Sequence, residues 1–298
     1  MSYSSRMNPI VWRITKPMTE VSIGKLIQQV SRQLSTIENP HENALVLLAH
    51  VLDKPKTWLL AHPETYLTPE QSKHLRGLVD RLCKGEPLPY LTGQQEFFGL
   101  DFKVTANVLI PRPETELLVE LALDWLQAHP DAKHGLDVGT GSGCIPVSIL
   151  KNYSQINFTA VDDSESALAI AAQNATTHSV TDRLRFLQSD LLENVEGSFA
   201  LITANLPYIP TAKLADLKNL AYEPKLALDG GSDGLVVISR LLRQAQDHLT
   251  QPELILLEIE SGLGEETMHL ARSAYPSASI FLHHDPAGLD RVIAIEMN

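Results

Sequence analysis

The four consecutive residues Asn205, Leu206, Pro207 and Tyr208 have the types and the order needed to hold a planar nitrogen group. They directly follow the apolar stretch 200–204, which is typical of a buried strand. A carboxamide or exocyclic amine is a weak nucleophile, so a site that alkylates it must bind its N–H groups and aim its lone pair. The Asn205 side-chain oxygen can accept one N–H, and the Leu206 main-chain carbonyl a second. Pro207 favours an extended Leu206, and Tyr208 offers a flat face to a planar group.

A glycine-rich loop after the predicted strand 135–138 forms a second chemical motif. Its glycines let the backbone turn sharply and approach a ligand, and the next helix offers free N–H groups. Dinucleotides and S-adenosylmethionine are both bound by such loops. The dinucleotide fingerprint places its third glycine at the position of Cys144, so the spacing favours S-adenosylmethionine. The residues predicted to contact this cofactor are Asp137, Gly139, Thr140, Gly141, Ser142 and Gly143.

Residues after the next two predicted strands complete the cofactor site. Asp162 is placed to accept hydrogen bonds from both ribose hydroxyls, with a helix N-cap as its alternative role. Asp190 is predicted to bind the adenine amine, and a purely structural role for this residue is supported about equally. Leu191 is predicted to pack on the adenine ring. The glycine loop and residues 205–208 together favour a site for N-methylation. The alternative for residues 205–208 is an Asx-Pro turn that ends the strand, with Tyr208 in the core.

The elements that must position these residues are strands and helices that alternate along the second part of the chain. Such alternation is typical of a mostly parallel sheet covered by helices on both faces, with ligands at the carboxyl ends of the strands. The last two strands have a short connection and are expected to be antiparallel. The predicted strands cover residues 135–138, 158–161, 184–187, 201–204, 253–258, 279–282 and 291–296.

The first part of the chain is predicted to be helical. Apolar residues recur at three- and four-residue spacing from Ile23, and Thr68, Pro69 and Gln71 are typical of a helix start. We expect a flexible leader at 1–20 and a small helical bundle at 21–85. A hairpin linker at 86–108, with its turn at 99–101, then leads into the cofactor-binding domain at 109–298.

Composition narrows the functional classes. The net charge of −12 disfavours a protein that grips a long phosphate backbone, so we expect no stable nucleic-acid binding. The two cysteines are too few for a disulfide framework or zinc cluster, and we expect no metal site and a reducing, cytoplasmic location. No apolar stretch approaches the ~20 residues that span a bilayer. The acidic tract Glu258, Glu260, Glu265 and Glu266 is expected to be a solvated surface.

Several longer motifs occur along the chain besides the glycine loop. They lie at residues 58–63 (WLLAHP), 90–93 (YLTG), 96–100 (EFFGL), 109–116 (LIPRPETE), 222–224 (YEP) and 230–235 (GGSDGL). Together they resemble those of the protein-glutamine N5-methyltransferases, the HemK/PrmC family, over nearly the whole chain after residue 20. One position departs from the family pattern, because Leu206 stands where the usual tetrapeptide Asn-Pro-Pro-Tyr has its first proline.

This resemblance implies a fold, a reaction and a partner. The fold is α/β, a Rossmann-like seven-stranded methyltransferase domain preceded by a helical substrate-docking domain and a hairpin linker. The reaction is methyl transfer from S-adenosylmethionine to the glutamine of the Gly-Gly-Gln motif in peptide-chain release factors. By position, Asn205 contacts both cofactor and glutamine, residues 206–208 contact the glutamine, and Arg112 lies near the substrate. Asn-Leu-Pro-Tyr also resembles the dimethyladenosine rRNA methylases, so an adenine-N6 methyltransferase and a non-catalytic cofactor-binding protein remain alternatives.

Overall fold

The computed structural model describes residues 18–217 and 220–297, which form two compact units divided between Thr92 and Gly93. Most of the predicted leader therefore lies outside the described residues. Its last three residues, Met18–Glu20, form a short 3-10 turn in which Met18 is fully buried. No helix in the described ranges is long and apolar enough to cross a membrane.

The first unit is helical, as the apolar spacing predicts, and has a hydrophobic core of its own. Thr68 begins a capping box: its hydroxyl accepts from Gln71 N (3.2 Å) and the Gln71 side chain accepts from Thr68 N (2.9 Å). The fifth helix falls in the segment that the sequence assigns to the linker. The helices are α1 (Ile23–Gln33), α2 (Pro40–Leu52), α3 (Lys56–Ala61), α4 (Pro69–Cys83) and α5 (Leu88–Thr92).

The second unit opens with the predicted hairpin, formed by β1 (Gln94–Phe97) and β2 (Leu100–Lys103). Its turn is tighter than predicted, because Phe98 and Gly99 alone connect the strands and Leu100 and Asp101 already pair. Both turn residues have positive φ, 53° and 72°, the conformation whose twist matches a two-residue hairpin.

A seven-stranded sheet forms the body of this unit, in the order β5-β4-β3-β6-β7-β9-β8. All neighbours are parallel except that β9 is antiparallel to both β7 and β8, which confirms the predicted arrangement. The strands are β3 (His134–Val138), β4 (Asn157–Asp162), β5 (Leu184–Gln188), β6 (Phe199–Ala204), β7 (Leu249–Glu258), β8 (Ser279–His284) and β9 (Asp290–Met297). The helices are α6 (Glu116–Ala128), α7 (Cys144–Asn152), α8 (Glu165–Thr177), α9 (Thr211–Leu214), α10 (Val236–Gln244) and α11 (Gly264–Ala274).

Alternating side chains of the central strands enter two apolar cores, one on each face of the sheet. On β7, Leu254 and Leu256 belong to one core and Ile255 and Leu257 to the other. Burial on both faces explains why these strands read as continuous apolar runs in the sequence.

One buried amide ties the hairpin to the glycine loop. The side chain of Asn174 on α8 accepts from Lys103 N (2.8 Å) and donates to Lys103 O (3.0 Å) and Ser142 O (2.8 Å). Asn174 is 1% exposed, and its bond to Ser142 O is buried from water. The loop thus takes part of its shape from a helix 32 residues further along the chain.

We predict that Asn174→Ala lowers the free energy of unfolding by about 2–4 kcal/mol, because it leaves the buried Ser142 carbonyl and the partly buried N–H and C=O groups of Lys103 without this partner. Urea denaturation measures the change. Gln173→Ala, on the neighbouring exposed position, serves as the control and is expected to stay within about 0.5 kcal/mol of the unmodified protein. Equal effects of the two substitutions would contradict the role of the buried amide.

Candidate active site

A cavity of about 360 Å³ opens at the carboxyl ends of β3, β4 and β6. Parallel strands place their carboxyl ends at one sheet edge, and this is where open α/β sheets bind ligands. Most of the predicted site residues line it, whereas Asp137, Gly143 and Tyr208 do not. The predicted residues on its wall are Arg112, Gly139, Thr140, Gly141, Ser142, Asp162, Asp190, Leu191, Asn205, Leu206 and Pro207.

The glycine loop is held by the end of the neighbouring strand. Gly139 N and Thr140 N both donate to the Val161 carbonyl, at 2.9 and 3.0 Å. The loop glycines at 139, 141 and 143 have φ values of 71°, 55° and 78°, a left-handed conformation that L side chains disfavour. Gly143 ends the loop as the N-cap of α7.

The carboxylate of Asp162 stabilises this loop through hydrogen bonds. Oδ2 accepts from Gly141 N and Oδ1 from Ser164 N, both at 2.9 Å. The N-cap of α8 is Ser164, whose hydroxyl accepts from Ala167 N, so Asp162 does not take that alternative role. Burial raises the pKa of Asp162, and the two backbone N–H groups oppose that rise.

Asp190 and Leu191 lie on the wall at the end of β5. Asp190 Oδ2 accepts from Arg240 Nη2 at 2.8 Å, so this carboxylate has a protein partner that sequence reasoning did not foresee. Leu191 is buried and has a φ of 51°, an uncommon value that turns the chain at the cavity.

Asp137 lies beneath the loop, fully buried. Its Oδ1 accepts from the Thr203 hydroxyl on β6 at 2.7 Å, and among the described residues Oδ2 has no hydrogen-bond partner. Burial raises the pKa of this carboxyl to about 7. The Thr140 hydroxyl, on the cavity wall, is likewise buried without a partner among the described residues.

Asn205 follows β6 on the cavity wall. Its Nδ2 donates to Thr115 Oγ1 at 3.2 Å, in the turn before α6. Leu206 is buried, and a Cβ added to Gly139 would meet its Cδ2 at 2.9 Å. The leucine that departs from the family tetrapeptide therefore fills the space beside the glycine loop.

Tyr208 is half-buried and its backbone is enclosed by the glycine-rich motif 230–235. A Cβ added to Gly230 would lie 2.7 Å from Tyr208 Cα, and one added to Gly234 would strike the Tyr208 carbonyl. Close backbone approach thus accounts for glycines in this motif. Burial, and secondarily the charge of Glu258, raise the pKa of the Tyr208 phenol to about 12.

Arg112 is anchored by a buried acid. Its guanidinium pairs with Glu223, whose side chain is 2% exposed and which also accepts from Ile110 N at 3.3 Å. The two sequence motifs at 109–116 and 222–224 therefore meet at one ion pair beside the cavity.

The expectation that the acidic tract from Glu258 to Glu266 is a solvated surface is wrong for Glu258. Glu265 and Glu266 are exposed, but Glu258 is only 1% exposed at the carboxyl end of β7. Burial raises its pKa to about 7, and hydrogen bonding from Thr115 and Asn205 opposes that rise. Because Glu258 is the last residue of the predicted strand 253–258, its burial could have been predicted from the sequence.

The sheet order and the cavity at its carboxyl edge define a Rossmann-like methyltransferase. The chain belongs to the release factor glutamine methyltransferase family, which confirms the family, the fold class and the cofactor expected from the sequence. A "PrmC N-terminal domain" model matches residues 25–93, and a "Methyltransferase small domain" model matches residues 114–251.

Relatives and solved structures support this membership. The release factor glutamine methyltransferase of Geobacter sulfurreducens is 37% identical over 96% of this chain and 97% of its own length. That of Moorella thermoacetica is 40% identical over 86% and 90%. The hMettl16 catalytic domain, solved with the MAT2A 3'UTR hairpin 6, matches with a TM-score of 0.54 at 13% identity over 79% of this chain and 85% of its own. This last likeness concerns the fold alone.

We predict that Gly139 and Leu206 are energetically coupled. Gly139→Ala adds left-handed strain and a clash with the Leu206 side chain, while Leu206→Ala alone leaves a cavity worth about 2–4 kcal/mol. The double variant is expected to lose less stability than the sum of the single variants, by about 0.5–3 kcal/mol. Urea denaturation of all four proteins gives the coupling.

Gly197 provides the control for that cycle, since it has a φ of 96° but a Cβ there would meet nothing within 4 Å. Gly197→Ala and Leu206→Ala should be additive. If both pairs are additive, Leu206 does not pack against Gly139.

We predict a pH-dependent effect of Asp137→Asn. A carboxyl whose pKa rises on folding, here from about 3.9 to about 7, holds its proton more tightly in the folded state. Its contribution to stability is therefore present at low pH and lost as pH rises through that window. Relative to the unmodified protein, Asp137→Asn should gain stability between pH 5 and pH 8 in urea denaturation. A difference that is the same at both pH values contradicts a raised pKa.

Proposed function

We propose that this protein transfers the methyl group of S-adenosylmethionine to the side-chain amide nitrogen (N5) of the glutamine in the Gly-Gly-Gln motif of a peptide-chain release factor. The observation that carries the proposal is the position of Asn205, whose carboxamide lies on the cavity wall beside the glycine loop. The relatives described above bear the name of this activity.

The cavity residues fit the cofactor. The left-handed glycines keep side chains away from the loop, and the Thr140 hydroxyl on the cavity wall has no hydrogen-bond partner among the described residues. Asp162, Asp190 and Leu191 line the same cavity. When bound, S-adenosylmethionine supplies an activated methyl group on a sulfonium centre. The residues that would hold it are Asp137, Gly139, Thr140, Gly141, Ser142, Gly143, Asp162, Asp190, Leu191 and Asn205.

The chain's own residues orient the acceptor amide. Asn205 Oδ1 accepts one amide N–H and the Leu206 carbonyl the other, so the nitrogen lone pair points to the methyl donor. Pro207 and Tyr208 bound the glutamine side chain, and Arg112 contacts the substrate near the cavity mouth. Alignment of this kind contributes roughly 7–11 kcal/mol in favourable systems. The nitrogen becomes acidic once it is alkylated, so no strong base is required.

The helical first unit serves in docking the release factor. It presents two large exposed apolar side chains, Leu60 and Tyr66, which are 60% and 57% exposed. The net charge of −12 argues against stable nucleic-acid binding, and the free cysteines Cys83 and Cys144 fit a cytoplasmic location.

We predict that Asn205→Ala lowers kcat by roughly 100-fold, the order lost with one preorganised polar contact, while cofactor affinity stays within a few-fold. Mass spectrometry of the Gly-Gly-Gln peptide after incubation of release factor, enzyme and cofactor measures turnover, and calorimetry measures affinity. Asn157→Ala, at the amino end of β4, is the control and should match the unmodified enzyme.

The same assay separates the alternatives. Label from the cofactor on the release factor glutamine supports the proposal. Label on rRNA or DNA alone would identify an adenine methyltransferase, and label on neither despite measurable cofactor affinity would identify a binding protein. Unchanged turnover in Asn205→Ala would rule out the orienting role.

A further inference from the structure

Three side chains from distant parts of the sequence meet at the cavity wall. Thr115 lies in the turn before α6, Asn205 follows β6, and Glu258 ends β7. Thr115 and Asn205 both line the cavity, whereas Glu258 is 1% exposed and does not. Asn205 Nδ2 donates to Thr115 Oγ1 at 3.2 Å. Ala204 pairs with Leu257, so Glu258 at the end of β7 lies beside Asn205, and hydrogen bonding from Thr115 and Asn205 lowers the pKa of the acid.

The chemistry of these groups determines which end of the Asn205 carboxamide faces them. An ionised carboxylate has no hydrogen to donate, so it accepts from the groups around it. Thr115 then turns its hydroxyl hydrogen to Glu258 and offers a lone pair to the Asn205 NH₂ group. With the NH₂ group held on this side, Oδ1 is directed away from the acid and towards the cavity.

We propose that Glu258, through Thr115, is a positioning residue that fixes the Asn205 carboxamide with its oxygen towards the acceptor amide. The proposal rests on the proposed function, in which that oxygen accepts a glutamine N–H. Glu258 does not line the cavity and touches neither substrate nor cofactor. Its effect is exerted on the orientation of Asn205.

The charged surroundings of Glu258 place its ionisation in a measurable range. Burial raises its pKa to about 7; Arg291 on β9 lowers the pKa, and Glu114 in the turn before α6 raises it. The Tyr208 phenol and the Cys144 thiol on α7 also interact with this acid but have raised pKa values of their own, about 12 for each. They therefore stay neutral near pH 7. Protonated Glu258 is a donor and no longer selects the NH₂ end of Asn205.

The test compares Glu258→Gln with Glu260→Gln, a half-buried acid two residues further on. With the release factor as substrate, Glu258→Gln should lower kcat by 10- to 100-fold and leave cofactor Kd within about twofold. The unmodified enzyme and Glu260→Gln should show kcat rising with pH around an apparent pKa of about 7, and Glu258→Gln should lose that inflection. Thr115→Val should behave as Glu258→Gln, and Thr115→Ser should restore most of the rate.

A second readout does not depend on glutamine methylation. The ¹⁵N resonance of the Asn205 side chain, assigned by its loss in Asn205→Ala, should shift with pH around pH 7 in the unmodified protein and in Glu260→Gln only. If the unmodified enzyme methylates the glutamine but Glu258→Gln has normal kcat and the same pH inflection, the positioning role is wrong and the proposed function stands. If the glutamine is not methylated at all, the proposed function fails, and the ¹⁵N titration alone decides for or against the positioning role.

Discussion

The parallel pairing of β3 with β6 is the constraint on which the site depends. Val138 pairs with Ala204, so the residues that follow, Gly139 and Asn205, emerge side by side at one sheet edge. Gly139 leaves room that Leu206 fills. One pair of strands thereby presents both the glycine loop and the carboxamide that we propose orients the acceptor.

Buried acids surround this pair of strands. Asp137 lies under the glycine loop, Glu258 lies behind Asn205, and Glu223 anchors Arg112 beside the cavity. Burying a carboxyl group costs stability unless its oxygens are satisfied. Asp137 and Glu258 each retain an oxygen without a partner among the described residues, and each has a pKa raised to about 7. Carboxyl groups with shifted pKa values concentrate at functional sites, which supports the positioning role that we propose for Glu258.

The sequence predicts the sheet and the cavity edge because their signals are local. Strands buried on both faces read as apolar runs, and polar residues directly after them mark the carboxyl ends. Contacts such as Asn205 with Thr115 and Arg112 with Glu223 join positions 90 and 111 residues apart, and no local pattern encodes them. Glu258 was misjudged because its acidic neighbours suggested a solvated surface, while its place at the end of a buried strand carried the correct information. The tighter hairpin turn depends on positive φ at Phe98, which the residue type disfavours.

The most direct test of the central claim is a crystal structure of the protein with S-adenosylhomocysteine and a Gly-Gly-Gln-containing release factor domain. The account predicts that the glutamine amide nitrogen lies about 3 Å from both Asn205 Oδ1 and the Leu206 carbonyl oxygen, with the cofactor sulfur in line beyond it. An Asn205 side chain turned out of the cavity, or a sulfur far from that line, would contradict it.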